Sequence, residues 1–475
     1  MTTHFGVLAR CVLGVALLFN ASVSWSQTPL EKKRLKRFEK EAEVFRSRLK
    51  IPALSVAVLE NQRVILMRGL GFADLENRVP ATSDTVYSIA SLTKTFGSTL
   101  IMQLVEQGKL DLDEPVSHYS SDFKDDSVKI KHLLSHTSAG VPGERFEYDG
   151  NRFDYLTAVI EKKTGKPFLN VLVDTFFDPL AMSSSVPYHN VVVDASKWVD
   201  SLGNERLDRY KTILLRLAQP YSYYGAGETV HTTYPPRDYV GASAGILSTV
   251  RDLAKYDIAI DGHVFLKKET QERAWTPFTS NSGERLPYGL GWFVTDYHGH
   301  KLVWHYGQWG SGFSAVYLKV PERNVSIILL ANSEALADLE YVEIANNPFV
   351  CSFLGLWGYA YDCAPKAELT LTKWIADRRA KGKMEVRVDP KILERYAGEY
   401  QFEKLGNRIY TVWSENGKLF LESAPGSKFQ VFAESKTTFF LKDRPYVFVF
   451  AAAEGQPAQL KIVEGNDTYF SKRIK

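Results

Sequence analysis

A serine hydroxyl becomes a nucleophile when a base beside it can take its proton. The stretch Val86–Gly108, VYSIASLTKTFGSTLIMQLVEQG, sets Ser91 three residues before Lys94. Phe96, Leu100 and Leu104 recur at helical spacing and Gly108 is a C-terminal stop, so the pattern predicts a helix from Ser91 to Gln107. Residues three apart on a helix are neighbours, which puts the Lys94 amine within reach of the Ser91 hydroxyl. Ser91 in a first helical turn also has free backbone N–H groups and the helix dipole at hand for a developing oxyanion, its own N–H being one donor. The lysine must give up its proton near neutrality from an ordinary value of ~10.4, at a cost of about 4 kcal/mol, which requires desolvation or a nearby cation.

Three other serines compete. Ser47-Arg-Leu-Lys50 and Ser121-Asp-Phe-Lys124 repeat the S-x-x-K spacing, but both lie in polar, charged runs with no apolar helix behind them. Gly241-Ala242-Ser243-Ala244-Gly245 matches the G-x-S-x-G elbow of α/β-hydrolases, which makes an esterase built on Ser243 the rival enzyme reading. That elbow needs a buried strand before the serine, and TTYPPRDYV carries two prolines and charges there. Beyond it, Thr249 with Asp252 three residues on reads as a helix N-cap.

Several elements must position these groups. PLEKKRLKRFEKEAEVFRSRL, 29–49, reads as an amphipathic helix with a solvated charged face. In 53–75, β-branched residues flank Glu60-Asn61, a hairpin pattern. Residues 135–151 read as a loop containing Tyr148, followed by a helix over about 153–163.

The stretches SIASLTKTF, LLSHTSAGVPGERFEYDGNRF, GASAGILSTVRDLAKY, YGLGW and HYGQWGSGFSAVYLKVPERNVSIILLAN stand in this order between Val56 and Asn332. In that order they resemble the serine β-lactamase and penicillin-binding-protein superfamily, in the branch of class C β-lactamases, D,D-peptidases, D-aminopeptidases and related esterases. The resemblance implies an α+β fold, an antiparallel sheet flanked by helices, with Ser91, Lys94 and Tyr148 catalytic. The asparagine of the family's Y-x-N falls on Gly150, with Asn151 one residue late, so both are candidates at the substrate-binding edge. The family's third element, K-T-G, occurs literally at Lys163-Thr164-Gly165, but there it ends a helix with Gly165 as cap. His305-Tyr306-Gly307, in strand-like sequence before QWGSG, takes that role instead. Gly307 would let substrate approach the backbone, and the Gln308 N–H would be the second oxyanion donor. His305 would replace a permanent cation by a ring titrating near ~6.5, a charge partner for a substrate carboxylate only in mild acid. Ser201–Tyr239, rich in tyrosine, reads as an insertion over the site that shapes specificity.

The chain has 475 residues, 45% hydrophobic and 24% charged, with a formal charge of +3, so its composition is globular and nothing in it points to nucleic acid. Residues 1–26 read as a cleaved secretory signal, with a basic start, an apolar stretch from Cys11 to Phe19 and small residues at Ser24 and Ser26. No other stretch offers the about 20 apolar residues of a membrane span. The mature chain then keeps Cys351 and Cys363, an even pair in an oxidising compartment, and they are expected to bond. Hydrolase residues 27–364, a charged linker over 365–389 and an all-β domain over 390–475 are expected. The last, with short alternating runs broken by turns, is similar to the lipocalin-like barrels appended to many family members. No metal-binding or cofactor motif stands in the chain, so neither is inferred. The expectation is a periplasmic or secreted serine hydrolase that forms an acyl-enzyme on a peptide, ester or β-lactam. The alternative from another class is a non-catalytic or penicillin-binding cell-wall protein that keeps the fold.

Overall fold

The computed structural model describes residues 27–475 apart from 225–227, 233–238, 311, 340, 381–385, 406, 424–427, 442–445, 452–458 and 465–466. The proposed signal, 1–26, lies outside the described residues, as do most of those between the Tyr-rich hairpin and Tyr239. Thr28 and Glu31 form a reciprocal capping box that starts helix α1 (Pro29–Arg48), whose buried face is Leu35, Phe38 and Ala42. Strands β1 (Ala53–Glu60) and β2 (Arg63–Asp74) pair antiparallel across Asn61 and Gln62, both left-handed at φ 52° and 59°. Two left-handed turn residues match the strands' twist, so the hairpin follows from local chemistry.

The chain divides into two compact units. The first comprises residues up to Gln219, Pro236–Trp309 and Phe313–Leu371; the second comprises Pro220–Pro235, Gly310–Gly312 and Thr372–Lys475. In the first unit β3 (Val79–Pro80) follows the hairpin, and then come the helices of the site: α2 (Thr93–Glu106), α3 (Gly150–Asp154), α4 (Leu156–Thr164) and α5 (Val250–Asp261). Strands β4 (Phe293–Tyr297), β5 (His300–Trp309), β6 (Phe313–Val320) and β7 (Val325–Ala331) complete an antiparallel sheet of order β3-β2-β1-β7-β6-β5-β4. The first strand is thus interior, beside the central β7, and β6 and β7 are buried along their whole length. Helix α5 packs on β1, β2 and β7, and is fastened to the sheet by Lys319 of β6, which is buried between Asp257 and Asp261. The sheet is antiparallel and flanked by helices, which is the α+β architecture expected.

Helix α6 (Pro348–Gly355) packs against α1, with Phe349 edge-on to Phe45 at 5.6 Å. Cys351 and Cys363 are joined in a disulfide with Cα atoms 5.8 Å apart. The charged stretch read as a linker begins as a helix, α7 (Cys363–Ala380).

In the second unit the nine strands β8 (Gly398–Phe402), β9 (Arg408–Glu415), β10 (Lys418–Glu422), β11 (Lys428–Ala433), β12 (Thr438–Phe440), β13 (Tyr446–Ala451), β14 (Gln459–Glu464), β15 (Asp467–Phe470) and β16 (Lys472–Arg473) form an antiparallel meander. β15 and β16 are the two edges of that sheet, yet only Ser471 separates them in the chain, so the sheet curls into a nearly closed barrel. Its core includes Tyr400, Phe402, Leu421, Phe439, Phe450 and Leu460. A two-stranded hairpin, Tyr221–Tyr224 with Glu228–His231, drawn from the stretch expected to lie over the site, belongs to this second unit.

Candidate active site

Tyr87–Ser88 pairs with Leu247–Ser248, and the Ile89 N–H donates to the Ile246 carbonyl at 3.0 Å, so the chain enters the site as a short extended run. Ala90 then takes a left-handed φ of 46°, and Ala90–Leu92 closes as a 3₁₀ turn before α2 begins at Thr93. This corrects the predicted start of the helix at Ser91: the Leu92 N–H donates to the Ile89 carbonyl at 3.0 Å and the Thr93 N–H to that of Ala90, bonds of a tighter three-residue turn that precedes the α-helix. Ser91 is half-buried in that turn while Lys94, inside α2, has no exposed surface.

The Lys94 Nζ donates to Ser91 Oγ at 3.0 Å and to the Ser243 carbonyl at 3.1 Å. It also stands 5.2 Å from the centre of the Tyr148 ring and 5.4 Å from that of Phe153. The S-x-x-K spacing therefore delivers the contact expected of it, and two aromatic faces wall the amine.

Tyr148 comes from the loop before α3, and its hydroxyl oxygen is buried. Its ring stacks on Phe293 at 6.0 Å and tilts against Tyr306 at 5.6 Å. Asp149 caps α3 by accepting the N–H groups of Asn151 and Arg152. A side chain at position 150 would begin 3.5 Å from Lys94 Nζ, so Gly150 is the residue beside the amine, whereas Asn151 is exposed in the first turn of α3. Lys163-Thr164-Gly165 ends α4 with Gly165 left-handed at φ 69°.

Ser243 lies in an irregular turn, only 4% exposed. Its hydroxyl donates to Asp154 Oδ1 at 2.7 Å and its N–H to the same oxygen at 3.1 Å, while its carbonyl receives Lys94. Tyr239 donates to the other Asp154 oxygen at 2.7 Å, and the Ala242 N–H donates to Thr157 Oγ1 at 2.8 Å. The serine of G-x-S-x-G is thus a fastener, and the antiparallel sheet removes the α/β-hydrolase reading. Thr249 caps α5 through the Asp252 N–H at 3.1 Å.

His305 differs from expectation. It is fully buried, its Nε2 is 2.8 Å from the Tyr288 hydroxyl and its Nδ1 is 2.6 Å from the Tyr306 carbonyl. The carbonyl can only accept, so Nδ1 carries the proton and Nε2 accepts from Tyr288. Burial, with the neighbouring Lys94 charge, pushes the ring down to about 3, against which the Tyr306 carbonyl works only partly. A ring expected to titrate near ~6.5 is therefore neutral throughout the working range.

Gly307 makes a close contact that the sequence does not disclose. A Cβ there would lie 2.0 Å from the Ile89 carbonyl oxygen and 3.2 Å from the Leu92 nitrogen, so the missing side chain admits the nucleophile turn against β5. The Gln308 side chain is turned to Asp338, 2.8 Å away. Asp154 and His136, which hold the surrounding loops, were not singled out from sequence. An acid inside a helical run and a histidine in a loop give no local sign of their tertiary partners.

A lysine-paired serine at a helix start, flanked by an antiparallel sheet strand and a loop tyrosine, is the arrangement of the serine β-lactamase and penicillin-binding-protein class. The family model described as Beta-lactamase matches residues 41–346, and the chain belongs to that family. It is 24% identical over 425 residues to penicillin-binding protein 4* of Bacillus subtilis (strain 168), covering 82% of this chain and 87% of that protein. Among solved structures, the octameric penicillin-binding protein homologue from Pyrococcus abyssi aligns with a TM-score of 0.57 at 21% identity, covering 92% of this chain and 100% of that one. A class C beta lactamase aligns with a TM-score of 0.51 at 20% identity, covering 64% and 94%. At these identities the two structures speak for the fold alone.

Proposed function

We propose that the protein is an exported serine hydrolase that passes through an acyl-enzyme on Ser91. The observation that carries this reading is the 3.0 Å contact between Ser91 Oγ and the fully buried Lys94 Nζ. Ser91 Oγ attacks a carbonyl carbon; its proton passes to Lys94 or Tyr148, and the same pair returns a proton to the departing amine or alcohol. Water then cleaves the ester on Ser91. The N–H groups of Ser91 and Gln308 are the proposed oxyanion donors, supported by the close seating of Gly307 against the turn that carries Ser91. Asn151 and Gly150 would border the acyl group.

The neutral His305 bears on the substrate. Where the resemblance expects a cation, this chain has a buried imidazole with both nitrogens engaged, which offers a substrate carboxylate no charge. We therefore favour esters and uncharged amides, including peptides with a D-residue, over penicillins. The apolar start of the chain and the disulfide support export to an oxidising compartment.

Purified protein treated with a fluorophosphonate and with a fluorescent penicillin tests the reading. Covalent labelling at Ser91 with turnover of a simple ester is expected, and penicillin turnover should not rise between pH 7.5 and 5.5. Stoichiometric penicillin capture without any turnover would move the protein to the non-catalytic, penicillin-binding alternative.

A further inference from the structure

A phenol that exchanges protons with a lysine must be held still, yet Tyr148 comes from a loop. One residue of that loop touches the backbone on both sides of it. The His136 carbonyl accepts the Glu147 N–H at 2.8 Å, and its Nδ1 accepts the Asp149 N–H at 3.1 Å. Between these two anchors, the His136 ring lies against the Tyr148 ring with centroids 4.3 Å apart and a 36° tilt. His136 is itself left-handed, at φ 53°, which turns its carbonyl and its ring toward the same short segment.

The ring sits in an aromatic box of Phe153 at 5.3 Å, Tyr288 at 4.9 Å and Phe146 at 6.2 Å, and is 2% exposed. Because Nδ1 accepts, the proton must be on Nε2, and Nε2 is buried without a hydrogen-bond partner. A phenylalanine would fill the box without that unsatisfied donor, so packing alone does not call for an imidazole here. What phenylalanine lacks is the acceptor for Asp149. Burial, with the Lys94 charge, pushes the ring well below its ordinary titration, which keeps Nδ1 unprotonated.

We infer that His136 is the positioning residue for Tyr148: a neutral imidazole that clamps residues 147–149 and so keeps the phenol beside Lys94. The inference rests on the reading that Tyr148 moves protons during acylation.

The test uses the full chain and two substitutions that divide the properties of the ring. His136→Phe keeps the packing and loses the acceptor. His136→Asn keeps an acceptor at the Nδ1 position, and asparagine tolerates a left-handed backbone. The acylation rate at saturating ester should fall about 10-fold or more in His136→Phe with KM changed by less than about 2-fold, and His136→Asn should recover most of the loss. In a Tyr148→Phe background, His136→Phe should cost less than about 2-fold, because the residue it positions is gone. Equal losses in both backgrounds would overturn the inference. Wild-type protein labelled at histidine nitrogen gives an independent readout, with His136 expected as the Nε2–H tautomer from pH 8 to 5. An Nδ1–H tautomer would overturn the clamp whatever the activity. Wild-type protein that no acylating probe labels would instead sink the hydrolase reading, with the tautomer still deciding the clamp.

Discussion

Asp154 Oδ1 accepts both the hydroxyl and the N–H of Ser243, at 2.7 and 3.1 Å, and in doing so turns the Ser243 carbonyl to Lys94. The two serines in suggestive motifs therefore have unlike parts in one site. Ser91 keeps its hydroxyl for the amine, while Ser243 spends its hydroxyl on a carboxylate and lends only its backbone. Gly241 and Gly97 make room for this arrangement: a Cβ on Gly241 would stand 2.3 Å from Asp154 Oδ1, and one on Gly97 would stand 2.8 Å from the Ala242 carbonyl.

The first prediction separates the two serines. Ser91→Ala and Lys94→Ala should each lower the acylation rate by about 10³-fold or more, since the nucleophile or its adjacent base is gone. Ser243→Ala removes one hydrogen bond but leaves the backbone N–H on Asp154, so it should keep most activity. Mass spectrometry of the labelled protein decides the point: an adduct on the peptide that carries Ser243, with none on that carrying Ser91, would contradict the assignment.

The second concerns the seat of the nucleophile turn. An alanine at position 307 would place its Cβ 2.0 Å from the Ile89 carbonyl oxygen, so β5 or the Ala90–Leu92 turn must move by more than an ångström. A displacement of that size at reacting atoms costs about 10²-fold in rate. Gly307→Ala should thus label far more slowly than wild type, and labelling at the wild-type rate in a folded variant would show that the contact does not position Ser91.

What could be read in advance follows from how local each feature is. Ser91 and Lys94 are one turn apart, the β1–β2 hairpin turns within one residue of the expected Glu60-Asn61, at Asn61-Gln62, and the Gly165 cap closes its own helix; each is set by residues a few positions away. The barrel strands were legible for the same reason, as short runs between turns. In sequence His305 reads as a titrating ring, because its burial depends on Tyr288 and on the aromatic rings packed around it, none of which its own strand discloses. The contact of Gly307 with the Ile89 carbonyl is not legible, because that carbonyl is more than two hundred positions away in the chain. Asp154 lacks a local signature altogether, since the Ser243 and Tyr239 atoms that it accepts from come from a distant turn.

The third prediction is that residues 386–475 fold alone. The meander carries its own core, with Tyr400, Phe402, Leu421 and Leu460 each at 1% exposure or less, and its nine strands pair only with one another in a nearly closed sheet. A domain with its own core and a nearly edge-free sheet is independently stable. The isolated segment should unfold cooperatively with a strand-type circular dichroism spectrum; a fragment without a thermal transition would refute this.

The last prediction follows from three buried histidines. His305 is pushed down to about 3 and His132 to about 4, chiefly by burial, and His136 lies well below its ordinary value for the same reason. In the unfolded chain each titrates near ~6.5. Between that value and the folded one, the unfolded chain binds the proton and the folded protein does not, so the stabilisation is complete above about pH 7.5 and is lost as the pH falls. His305 alone accounts for about 1 kcal/mol of lost stability between pH 6 and 5, and the other two act with the same sign. Most carboxylates titrate below that interval; Asp261, which burial raises, acts with the opposite sign, a single group against three rings. Urea denaturation at pH 7.5, 6 and 5 should give a midpoint that drops steadily with acidification. A midpoint that is flat or rises from pH 7.5 to 5 would mean that these rings gain protons in the folded state, and the neutral His305 on which the substrate preference rests would fall with it.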